Sequence, residues 1–149
     1  VSRFRVPESF ARKNNIRVDR GTLVLPYVWN GEVTNVERYG DTGRAFKDPS
    51  SIALHGVENS DMYVFDGMVN AARYSPYVEH DRIGAAPYMH WPRISGTKQL
   101  RGSTFVTTKS IKNITGSDAV WLPVDIWKYR DTDKALEIWR LWSKNRIIL

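Results

Sequence analysis

The stretch SFARKNNIRVDRGTLVLPYVWNGEVTN, residues 9–35, decides how this chain is read. It opens as a short strand, passes through a basic link that ends at Gly21, and continues as an apolar run over Thr22–Trp29. The run breaks at Asn30-Gly31, and a second strand over residues 32–36 follows. Asn-Gly between two β-rich runs is a strong hairpin signal. A tight primed turn needs positive φ at both central positions, which these two residue types tolerate.

Outward from the hairpin, further β-favouring segments recur at residues 4–6, 51–54, 62–65, 103–108 and 119–122. Turn-rich text separates them, such as Gly40-Asp41-Thr42-Gly43 and Asp48-Pro49-Ser50. Many short strands with Gly, Pro and Asn punctuation predict a mainly β domain of the α+β class, its strands gathered in small sheets without βαβ units. Residues 75–102 carry Pro76, Pro87, Pro92, Gly84, Gly96 and Gly102 and read as one long irregular loop. A loop of that length in a domain this size is expected to be functional or held by a partner.

One amphipathic helix is predicted near the C-terminus. Asp131 or Thr132 is placed to accept the first free N–H groups, and Asp133 suits the positive end of the helix dipole. Ala135, Ile138, Trp139 and Trp142 then fall at i, i+3, i+4 and i+7, with Leu136 and Leu141 widening the apolar side. The apolar Ile147-Ile148-Leu149 that follows is expected to dock, either on this domain's own core or on a neighbouring subunit. The organisation expected is a β-rich body over residues 1–130, with a helix and apolar tail over residues 131–149 in the same domain or against a partner.

The chain has 149 residues, most simply one domain with a sizeable core. It contains no cysteine, which excludes disulfides, thiolate zinc sites, Fe–S clusters and a cysteine nucleophile within it. No apolar run reaches the length of a membrane span, and no secretory signal opens the sequence. The expected setting is therefore intracellular, organellar or virion-associated. Of the net charge of +6, residues 76–149 carry +5, with twelve Lys/Arg against seven Asp/Glu. A basic half favours acidic partners, nucleic acid among them. Aromatic and basic residues also alternate at Tyr88, His90, Trp91 and Arg93, then at Trp127, Lys128, Tyr129 and Arg130, then at Trp139, Arg140, Trp142 and Lys144. Such pairing serves base stacking with phosphate neutralisation, and it is equally typical of protein interfaces. Trp91, inside the Pro/Gly-rich loop, is the expected exposed contact.

In order along the chain, Phe10-Ala11, Arg20-Gly21, Tyr27, Gly31-Glu32, Val69-Asn70-Ala71-Ala72-Arg73-Tyr74 and Gly116-Ser117-Asp118-Ala119 resemble the phrases of a SET domain, the fold of many protein-lysine methyltransferases. The resemblance implies a cofactor site for S-adenosylmethionine lined by Tyr27, Asn70, Arg73 and Tyr74. It also implies that the chemistry is lost. Where the family has Asn and His after that phrase, this chain has Pro76 and Tyr77, and proline offers neither an amide side chain nor a backbone donor. Where the family places its tyrosine beside the methyl-transfer site, Val120-Trp121-Leu122-Pro123 follows. Other sites find little support. Glu79-His80-Asp81 with His90 match no ligand spacing and read as a polar surface loop, and no phosphate-cradling glycine motif is present.

Three functions follow as expectations. The first is a non-catalytic structural or adaptor subunit of a larger assembly (virion, ribonucleoprotein or multi-subunit complex) on a degenerate SET-like fold, oligomeric and without cofactor. Its partner contacts would be Trp91, Arg93, Trp139, Trp142, Ile147, Ile148 and Leu149. The second is a divergent S-adenosylmethionine-dependent methyltransferase, and the third a basic nucleic-acid-binding module.

Overall fold

The Asn30-Gly31 turn forms as its composition requires, with φ of 50° and 84°. It joins β2 (Thr22–Trp29) to β3 (Glu32–Gly40), and Trp29 faces Glu32 across the turn. A second tight turn at Arg20-Gly21, also at positive φ, adds β1 (Arg17–Asp19), and β4 (Gly43–Phe46) completes an antiparallel sheet in the order β1-β2-β3-β4. The structure is a computed structural model that describes residues 2–148.

The second sheet has five strands: β5 (Tyr63–Asp66), β6 (Ile83–Ala86), β7 (Thr104–Thr107), β8 (Asp118–Trp121) and β9 (Arg146–Ile148), in the order β6-β5-β7-β8-β9. The fold is thus α+β with two small sheets. One expectation is overturned within it. The first four strands of this sheet run parallel, and helix α2 (Met68–Tyr74) connects β5 to β6 as a βαβ unit. Parallel sheets need cover on both faces, and this one has it. On one face Tyr63, Phe65, Val106 and Val120 join a core with Leu23, Leu25 and α2. On the other, Val64, Phe105 and Ala119 pack against Trp91, Ile94 and Leu100. Alternate residues of each strand serve opposite cores, as the two-residue period of a strand dictates.

That second core corrects the reading of residues 75–102. The segment holds β6, the short helix α3 (Trp91–Ile94) and 3-10 turns, and it forms the layer over the second face of the sheet. Three other expected strands are absent. Residues 2–4 form a 3-10 turn, the stretch that opens at residue 9 is the helix α1 (Glu8–Lys13) in place of the expected short strand, and residues 51–54 carry no strand. Beside the last of these, His55 and Gly56 tie the sheets together. His55 bridges to Ala85 of β6, and Gly56 bridges to Trp29 of β2.

The C-terminal helix α4 (Thr132–Trp142) is capped by Asp131, whose carboxylate accepts the N–H groups of Asp133 and Lys134 at 3.0 and 3.2 Å. Ala135 and Trp139 are buried, and Ile138 and Trp142 pack partly against the same core. Leu141 is exposed, contrary to its expected place on the apolar side. β9 then pairs antiparallel with β8, so the apolar tail adds backbone to this domain's own sheet while Ile148 stays 86% exposed. Leu149 lies outside the described residues.

Candidate functional site

In an open parallel sheet the natural binding crevice lies at the carboxyl ends of the strands, where successive connections leave in opposite directions. Here that point is between β5 and β7. The chain leaves β5 through α2 to reach β6 on one side, then crosses the other face to return as β7. A cleft of about 250 Å³ sits at this place, and Arg44, Asp66, Asn70, Arg73, Thr107, Lys109 and Asp125 are among its lining residues.

The side chains arrive from several elements, with Asn70 and Arg73 both on α2. Asp66 closes β5, and its carboxylate accepts the backbone N–H of Tyr88 at 2.8 Å and the ammonium of Lys109 at 3.2 Å. Gly67 follows with φ of 85°, a left-handed conformation that turns the chain from strand into α2. A Cβ there would meet the Arg44 guanidinium at 3.5 Å and the Tyr27 hydroxyl at 3.6 Å, ordinary contact distances, so the positive φ and not space is what calls for glycine. Lys109 comes from the turn after β7 and is 60% exposed. Arg73, on α2, donates through Nε and Nη2 to the carbonyl of Phe4, both at 3.1 Å. Its guanidinium lies 4.6 Å from the Trp127 ring centre and 6.0 Å from that of Tyr39. Asn70 accepts the indole N–H of Trp127 at 2.9 Å.

Arg44 reaches the cleft from β4 and stands 3.9 Å from Glu37, a carboxylate only 1% exposed. The Tyr27 hydroxyl donates to Glu37 at 2.6 Å and accepts the Met68 backbone N–H at 2.9 Å, which links the antiparallel sheet to the start of α2. Burial pushes the Glu37 carboxyl above its usual range, while Tyr27 and Arg44 pull it back. Burial and the adjacent Glu37 raise the Tyr27 phenol well above its ordinary value, so it remains a donor. Tyr74 behaves alike: burial, then Asp125, to which its hydroxyl donates at 3.0 Å, raises its phenol. Three cations and two carboxylates therefore line the cleft, with the third carboxylate sealed behind Arg44.

The four residues implied by the family resemblance divide. Asn70, Arg73 and Tyr74 line this cleft, whereas Tyr27 is fully buried beneath it. Arg44, Asp66 and Lys109 escaped the sequence reading. Asp66-Gly67, after a four-residue apolar strand and before α2, was the signal that could have marked a βα turn.

The expected partner contacts are corrected more sharply. Trp91 is fully buried, its indole N–H donating to the Ala86 carbonyl at 2.8 Å. Trp139 is core, edge-on to Tyr63 at 5.1 Å. Arg93 is exposed on α3, and Trp142 is half-buried against Trp121 with ring centres 6.0 Å apart. Ile147 and Ile148 belong to β9. His90 is buried and accepts the Ala53 N–H at 3.3 Å, while His80 packs edge-on to Phe10 at 5.6 Å. Among the described residues no cluster could hold a metal ion, and no helix is long and apolar enough to cross a membrane. Comparison with protein-family models, curated proteins and solved structures finds no match to this chain.

Proposed function

We propose that the chain binds nucleic acid, holding the phosphodiester backbone in the cleft between β5 and β7. The observation that carries this reading is the convergence of Arg44, Arg73 and Lys109, from three separate elements, at the topological switch point of a parallel sheet. Phosphate contacts supply most of the affinity of sequence-independent binding, and arginine suits them through its planar fork of donors. The net charge of +6 adds a field that favours a polyanion. The half-buried rings of Tyr39 and Trp127 beside Arg73 offer the aromatic surface that accompanies such grooves.

Within this reading the chain is an adaptor subunit of a larger nucleoprotein assembly. The exposed apolar side chains of Ile147 and Ile148 on β9, the end strand of its sheet, support a subunit contact there. A second reading, S-adenosylmethionine in the same cleft, draws on Asn70, Arg73 and Tyr74, and isothermal titration with that cofactor tests it.

The direct test is anisotropy of a labelled oligonucleotide across a salt series, comparing the natural chain with the Arg44→Gln/Lys109→Gln double variant. Each lost phosphate contact is expected to lower the salt slope by about one, so the double variant should lose about two and bind at least tenfold more weakly. Equal affinity and equal slope would contradict the proposal.

A further inference from the structure

Next to the cleft, and sharing Arg73 with it, lies a second depression of about 150 Å³ lined by Arg5, Pro7, Arg73, Pro76, Tyr77 and Trp127. Its walls differ from those of the cleft. They combine two aromatic rings and two prolines with two cations and no carboxylate. Trp127 is only partly buried, and three cations approach its face: Arg73 at 4.6 Å, Arg5 at 5.2 Å and Lys128 at 5.6 Å from the ring centre. The ring is also fixed in place. Asn70 accepts the indole N–H, and the Arg5 guanidinium donates to the backbone carbonyl of Trp127 at 2.6 Å. A base would seat against this indole by displacing one of these guanidinium groups from its face, and the displaced cation would turn to the base's phosphate.

We infer, resting on the nucleic-acid reading above, that the ligand is single-stranded, with one base seated against Trp127 and Tyr77 while its backbone crosses Arg73 into the cleft. A duplex keeps its bases stacked on one another and has none to place in such a depression without unpairing it. A single strand offers its base faces freely, and every base has one, so the subsite takes strands without regard to sequence.

The experiment uses the natural chain with halogenated single-stranded ribo- and deoxyribonucleotide oligomers, and the duplex of each as competitor. Ultraviolet cross-links are mapped by mass spectrometry. Cross-links at Trp127 or Tyr77, with the single strand binding at least about tenfold tighter than its duplex, are the expected result. The ribose type that binds tighter identifies which strand the site serves. Tyr77→Ala should lower single-strand affinity by about tenfold and leave duplex affinity unchanged, and Trp127→Phe should retain most of the binding. Salt-dependent binding with equal duplex affinity, or with cross-links only elsewhere, overturns the inference and leaves the cleft reading standing. No salt-dependent binding of either form overturns both.

Discussion

Residues 88–93 and residues 127–130 have similar composition, aromatic side chains interleaved with cations, yet they end in opposite environments. In the first, Trp91 is fully buried, edge-on to Tyr88 and Phe105 with ring centres 5.0 Å away in each case. In the second, Trp127 stays half-open beneath three cations. The difference lies in what each segment must cover. Residues 87–102 lie over a face of the parallel sheet that would otherwise meet water, so their largest side chain is drawn inward and its N–H finds a strand carbonyl. Residues 126–128 are a 3-10 turn at the rim, where Ile126 fills the core and its neighbour is left to pack against α2. Composition identifies an aromatic and basic segment; the demand of the adjacent sheet face decides whether it is core or contact surface.

The largest effect that tests this contrast is Trp91→Ala. Emptying a fully buried indole site should cost about 3–5 kcal/mol, read as a lowered thermal or denaturant midpoint. A loss below about 1 kcal/mol would place Trp91 with surface residues and break the comparison.

Next in size is the staple that holds the two sheets in register. The Val28 backbone N–H donates to His55 Nδ1 at 3.0 Å, which fixes a neutral ring, and burial lowers its pKa from 6.5 to about 4. The folded state therefore refuses a proton that the unfolded chain accepts between those two values. Stability is present in full above pH 6.5 and is lost as pH falls toward 4. Relative to His55→Asn, whose side-chain oxygen can accept the same N–H, the natural chain should lose roughly 3 kcal/mol across that window. Parallel pH profiles for the two proteins would show that His55 is not the titrating group.

The smallest effect sharpens the contrast from the other side. Arg93 is exposed on α3 beside buried Trp91. Arg93→Ala should change stability by less than about 0.5 kcal/mol and leave oligonucleotide affinity unaltered. A marked loss of affinity would move the interface to the face of residues 88–93.

Where the sequence was legible, local chemistry sufficed. Asn30-Gly31 specified its turn, and Asp131 with the spacing of Ala135 and Trp139 specified α4. β5, β7 and β8 were also legible as β segments, at residues 62–65, 103–108 and 119–122, but their parallel pairing was not, for a physical reason. β5 to β8 are four residues each and almost wholly buried, so their apolar runs lack the alternation that reveals a strand face. α2, at seven residues, is too short to display a helical period. The cleft was hidden by the same brevity. Arg44, Asp66 and Lys109 are far apart in the chain and unremarkable singly; the pairing of β5 with β7 brings Asp66 and Lys109 together, and the packing of the first sheet against the second adds Arg44.

The central claim is one of place, that nucleic acid is held at the carboxyl ends of β5 and β7. Amide and indole chemical shifts followed by two-dimensional NMR during titration with a single-stranded oligonucleotide test it most directly. The account predicts the largest changes at Gly67, Asn70, Thr107 and Lys109 and at the Trp127 indole N–H. Changes gathered on α4 and β9, with those five signals unmoved, would contradict it.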